Sequence, residues 1–212
     1  MARTYDNSAR VVRAEQTRTQ IVETAQGLLL KGGYTKMTVA SLAAAAGVSP
    51  QTVYNSVGGK AAVVKAVYDR MIAGDDVEVA MSDRPEFEAL FAAADRAGFA
   101  RAYAARIRLL SGRVGPLLGA LMAHGTDATL VDFVATIEEE RYVGTTHAMT
   151  GLRDRVGLPA SYAGKGGLTR LVDAVWVLNS PDAYDRLVRR RGWKPAAYEA
   201  WLAGQLVALL QG

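Results

Sequence analysis

Residues 38–60 read TVASLAAAAGVSPQTVYNSVGGK, and this stretch decides the fold. Thr38 is a good N-cap residue, and the alanine-rich run after it predicts a compact helix over 39–46. Gly47 supplies the residue that leaves a helix at little cost through a left-handed backbone. Val48 is placed to plug the corner between two helices. Ser49 caps a second helix, and Pro50 takes its first position, where a missing N–H costs nothing. Gly58-Gly59 ends that helix, and Lys60 opens a third. Ala43 and Ala44 are small enough for a close crossing. Helix, glycine turn and helix make a helix-turn-helix, whose second helix is built to enter the major groove of duplex DNA.

Thr38, Leu42, Ala43, Gly47, Val48, Ser49, Thr52, Val53, Tyr54 and Lys60 together resemble the DNA-binding motif of the tetracycline-repressor-like (TetR) family. The resemblance spans roughly residues 17–72, about a quarter of the chain. Its specificity lies in the combination of caps, turn glycine, tyrosine and lysine at fixed spacing. Val57 stands where many members carry phenylalanine, which implies looser packing under the third helix. A weaker likeness to the tails of such regulators lies in Ser180-Pro181, Arg191-Gly192-Trp193, Tyr198 and Trp201. The resemblance implies an all-α fold, a homodimer and a ligand-responsive transcriptional regulator, most often a repressor.

Charge agrees with a polyanion partner. The formal net charge of +4 falls entirely within residues 1–60. Arg3, Arg10, Arg13, Arg18, Lys31, Lys36 and Lys60 there face only Asp6, Glu15 and Glu23, and the remainder balances. The chain has 212 residues, half of them hydrophobic, so it has the length and composition for a sizeable core. The absence of cysteine excludes disulfides, thiolate metal sites and a cysteine nucleophile. No apolar run reaches membrane-spanning length, and the N-terminus lacks the apolar core of a secretory signal, so a cytoplasmic protein is expected.

Three segments follow from the punctuation: a flexible basic arm over 1–16, a DNA-binding domain over 17–73, and an effector-binding and dimerisation domain over 74–212. Thr17 with Gln20 gives a capping-box signature for a first helix ending at Gly32-Gly33. A fourth helix covers about 60–73. Beyond Pro85 the pattern predicts helices over 85–110, 117–123, 126–156, 168–178, 181–191 and 196–210, with a break at 111–116. No sustained strand pattern or internal repeat interrupts them.

Enzymatic chemistry is poorly supplied. His124 and His147 stand far apart with no carboxylate at metal-ligand spacing to both. Glu138-Glu139-Glu140 reads as a solvated helix face. Gly164-Lys165-Gly166-Gly167 lacks the glycine spacing of a phosphate loop and reads as a flexible turn. No enzyme and no cofactor are expected. The alternative is a helical small-molecule carrier or enzyme whose helix-turn-helix is only structural, which would bind no duplex DNA.

This motif places Gln51 and Thr52 on base edges of a pseudo-palindromic operator, with Asn55 or Ser56 one turn on. Ser49 and Pro50 open the reading helix. Tyr54, Lys60 and Thr38 are expected at phosphates, Tyr54 by the family resemblance. For a small, mostly apolar effector the expected lining is Phe91, Phe99, Tyr103, Met122, Phe133, Ile137, Tyr142 and His147, with His124 as a further polar candidate. For a homodimer interface the apolar stripes offer Leu168, Leu171, Val172, Val175, Trp201, Leu202, Leu206 and Leu209.

Overall fold

The computed structural model describes residues 7–74, 85–122 and 128–211, and among them the chain is helical with no strand. Helix α1 (Asn7–Lys36) is broken only at Gly33, whose φ of 73° and ψ of 175° are not helical. The Gly32-Gly33 stop is therefore where the sequence places it. The start is not: α1 begins at Asn7, so residues 7–16 are helix rather than a flexible arm. Thr17 is no cap, because its hydroxyl donates back to the Arg13 carbonyl at 2.8 Å, inside the helix.

Helices α2 (Val39–Ala45), α3 (Pro50–Ser56) and α4 (Lys60–Ala73) then pack on α1 and one another. Leu42, Ala43, Ala46, Val53, Val63, Val64 and Val67 are buried with Ile21, Ala25 and Leu29 of α1. Ala43 permits the close crossing, whereas Ala44 is exposed and takes no part in it. The chain divides by compactness into two units, and the division does not follow chain order. The first joins Met1–Asp76 with Pro116–Phe133. Within it Phe133 meets Tyr68 edge-to-face at 5.7 Å.

The second unit joins Val77–Gly115 with Val134–Gly212. Its helices are α5 (Pro85–Phe91), the body of α6 (Arg96–Met122) and α7 (Ala128–Val156), α8 (Gly167–Leu178), α9 (Pro181–Tyr184) and α10 (Pro195–Gln211). Helix α9 runs on into a π-helical turn, Asp185–Arg190. Two boundaries differ from the sequence pattern. The chain breaks between α5 and α6, where Asp95 Oδ1 accepts from the Gly98 N–H at 2.6 Å and caps α6. It does not break at 111–116, because α6 runs straight through Pro116. Gly112 and Gly115 lie against the Tyr184 ring, and the Arg189 guanidinium donates to the Gly115 carbonyl at 2.8 Å. Tertiary contacts thus hold a segment whose local composition favours a turn.

The core of this unit is continuous, from Phe87, Leu90 and Phe99 through Tyr103, Met149, Leu152, Leu171 and Val175 to Tyr198, Leu202, Leu206 and Leu210. Five residues expected at a subunit interface are part of it. Leu171, Val172, Val175, Leu202 and Leu206 are at most 2% exposed within one chain. Within one chain they are core rather than surface, because the large side chains of α8 and α10 turn towards their own unit. Leu168, Trp201 and Leu209 are only partly buried. No described helix is long and apolar enough to cross a membrane.

Candidate nucleic-acid interface

The reading helix is held by its ends. Thr38 Oγ1 accepts from the Ser41 N–H at 3.0 Å, and the Ser41 hydroxyl oxygen accepts from the Thr38 N–H at 2.9 Å, closing a reciprocal cap on α2. Gly47 follows at φ +66°. Ser49 Oγ accepts from the Thr52 N–H at 3.0 Å, with Pro50 at the first position of α3. Two side chains of α1 then close the opposite ends. The Gln20 amide donates to the Ala46 carbonyl at 2.9 Å, and the Arg18 guanidinium donates to the Ser56 carbonyl at 2.8 Å. These carbonyls lack helical partners, so each bond fixes a helix terminus. Sequence reasoning missed both residues. Their one signal was a pair of long polar side chains, Arg18 and Gln20, near where the sequence starts the first helix.

Only Val53 of α3 is buried, which leaves Gln51, Tyr54 and Asn55 on its outer face. The Gln51 amide donates to Asn55 Oδ1 at 2.9 Å. Thr52 is less available than expected, since it is half-buried and its hydroxyl pairs with Ser49 Oγ at 2.8 Å. Ser56 is half-buried beneath Arg18. Tyr54 is 54% exposed, a large aromatic ring that packing does not require. It borders Gly59, the N-cap of α4, which brings no side-chain cap to the first turn of that helix. Lys60 lies over the Tyr34 ring at 3.7 Å. A phenol, a lysine and a helix N-terminus therefore adjoin, and that combination suits an anion. Thr38 is exposed at the start of α2.

Of the residues expected at an effector site, Phe99 and Tyr103 belong to the core of the second unit, and Phe91 and Tyr142 pack against it. Phe99 and Tyr103 stack in the core of the second unit at 6.1 Å, and Ile137 is buried. Phe91 and the exposed His147 join Phe87, a member of the same core, in an aromatic group. Tyr142 turns to α8, donating to Asp173 at 3.0 Å beside the Trp176 ring. Phe133 belongs to the first unit. The Met122 side chain and His124 lie outside the described residues.

A buried polar group was not foreseen. Asn179 donates to the Tyr103 hydroxyl at 2.7 Å and to Thr145 Oγ1 at 3.1 Å, and its carbonyl oxygen accepts from Arg141 at 2.5 Å. Burial pushes the Tyr103 phenol above its ordinary value. The lone Asn179 beside a helix end gave no sign of it in the sequence.

Residues 21–67 match the family described as bacterial regulatory proteins, tetR family. No curated protein sequence matches the chain. Among solved structures, a tetR-family transcriptional regulator from Streptomyces coelicolor is similar with a TM-score of 0.58 and 19% identity. That likeness covers 92% of this chain and 80% of the other.

Proposed function

We propose that the chain, whose residues 21–67 match the tetR family, is a DNA-binding transcriptional regulator of that family, and that it is a homodimeric repressor released from a pseudo-palindromic operator by a small, mostly apolar ligand. The observation that carries the DNA reading is the outer face of α3, where Gln51, Tyr54 and Asn55 stand exposed on a helix fixed at both ends. Gln51 and Asn55 address base edges, while Tyr54, Lys60 and Thr38 address phosphates. Titrating duplex DNA across salt concentrations tests it. Affinity is expected to fall steeply with salt, because phosphate contacts release counterions. Tyr54→Phe should weaken binding to all sequences alike, and Lys60→Ala should do so while also making the salt slope shallower by about one. Salt-independent binding, or none, would refute the reading.

The dimer is proposed through the outer face of α10. This helix buries Tyr198, Leu202, Leu206 and Leu210 on one side, yet Glu199 is its sole charged residue. Its exposed side carries Ala197, Ala200, Gly204 and Ala208 with Gln205 as its polar member, and α8 exposes Val177 to 64%. A helix whose exposed side is so largely apolar is normally covered. Two recognition helices related by symmetry would then meet half-sites about 34–36 Å apart, or a multiple of that. Gly204→Glu tests this cleanly, since a side chain at Gly204 meets nothing within 4 Å in one chain. The variant should melt like the parent, run at monomer mass and lose operator affinity. A dimer of unchanged stability would point to another face.

A further inference from the structure

Hydrogen-bond capacity in the core of the second unit is unbalanced. The acceptors around Asn179 are already engaged: Asn179 Oδ1 takes the Arg141 guanidinium, and the Thr145 and Tyr103 oxygens take the Asn179 amide. The Thr145 proton goes to the Arg141 carbonyl at 2.8 Å. Two donors are left over. The Tyr198 hydroxyl is buried in a residue that is 0% exposed and has no partner among the described residues. The Trp176 indole N–H, on a ring beside the Arg141 guanidinium, is buried and unpartnered in the same sense. Buried polar groups without partners are few in native proteins, because each forfeits its bonds to water.

The Tyr198 hydroxyl is embedded in apolar and aromatic surroundings. The Tyr184 ring meets the Tyr198 ring edge-on at 4.9 Å, Trp201 lies at 5.8 Å, and Leu202 and Leu206 belong to the same core. Burial, then the neighbouring Tyr184, pushes this phenol up to about 12, although Arg141 acts in the opposite sense. The surroundings therefore disfavour negative charge, and a compatible guest supplies an acceptor without bringing an anion.

We propose that the second unit holds its effector through the Tyr198 hydroxyl, and that the effector is a neutral, largely apolar molecule presenting a carbonyl or ether oxygen as acceptor. The proposal rests on the effector reading above and narrows it to one chemical class and one anchoring atom. An alkylammonium brings a charge that the phenol oxygen alone cannot solvate in these apolar surroundings, and a carboxylate brings the negative charge the site disfavours.

The test uses the full chain and three probes of equal carbon count: methyl heptyl ketone, nonylamine and nonanoate. Binding is followed by tryptophan fluorescence and by the shift in melting temperature, and operator affinity is measured with each. The ketone should bind best and weaken operator binding. Tyr198→Phe should lose about tenfold in ketone affinity, the scale of one hydrogen bond. It should melt no lower than the parent and bind operator unchanged without ketone. Tyr142→Phe, whose hydroxyl serves Asp173, should bind ketone like the parent. Equal binding of the three probes, an unchanged ketone affinity in Tyr198→Phe, or a ketone-soaked crystal with only water on the Tyr198 hydroxyl overturns the proposal and leaves the effector reading standing. If none of the probes binds and no apolar compound in a wider screen shifts operator affinity, both fall.

Discussion

Leu202→Glu with Leu206→Glu is expected to abolish the cooperative unfolding of the second unit, not to release folded monomers. Both leucines are at most 1% exposed within one chain. Truncating such a side chain to alanine costs about 2–5 kcal/mol. A glutamate adds the desolvation of a charge with no partner in that core. Two such losses rival the whole stability of a domain, roughly 5–15 kcal/mol. A circular-dichroism melt should therefore lose its sharp transition, whereas Gly204→Glu keeps it. A double variant that melts like the parent at monomer mass would return these leucines to the subunit interface.

The contrast between these variants shows what the sequence of α10 could and could not disclose. Its periodicity marks Tyr198, Leu202, Leu206 and Leu210 as a stripe, and the structure keeps the stripe. The opposite side is mostly alanine and glycine, with Gln205 its polar exception, so polarity separates inside from outside only weakly. Side-chain size separates them better: the large residues fill the chain's own core, and the small ones are left for close helix approach. Residues 38–60 were legible because their signals are local. Thr38 and Ser49 cap through bonds three residues on, and Gly47 needs only its own backbone. Where the pattern misled, distant contacts had decided. Helix α6 survives Pro116 with help from Arg189 and Tyr184, far along the chain. Thr17 looked like a cap because a threonine that bonds back to the preceding turn has the same letter as one that starts a helix. Richness in aromatics and methionine between 85 and 156 marked a core without saying which ring meets which. The Tyr198 hydroxyl, without a partner among the described residues, is a property of three-dimensional surroundings that no spacing encodes.

Gln51→Ala and Asn55→Ala are each expected to relax the base preference at the same position of the half-site, because the two amides act as one reading unit. The Gln51 N–H bonded to Asn55 Oδ1 locks both side chains on the outer face of α3, one turn apart. That bond consumes one donor and engages one acceptor. The pair still offers the Gln51 carbonyl oxygen as acceptor and the Asn55 amide as donor. One acceptor with one donor is the complement of the adenine edge in the major groove, which presents an amino donor and a ring-nitrogen acceptor. A good bidentate match discriminates by about 1–3 kcal/mol per half-site, and two-fold symmetry doubles it across the operator. Selection from randomised duplexes reads the effect position by position. Both single variants and the double variant should lose the same adenine preference, with the double losing little more than either alone. Tyr54→Phe should instead lower affinity evenly and leave the preferred sequence intact. Relaxation at two different positions would show that Gln51 and Asn55 read separate base pairs and that their mutual bond opens on the DNA.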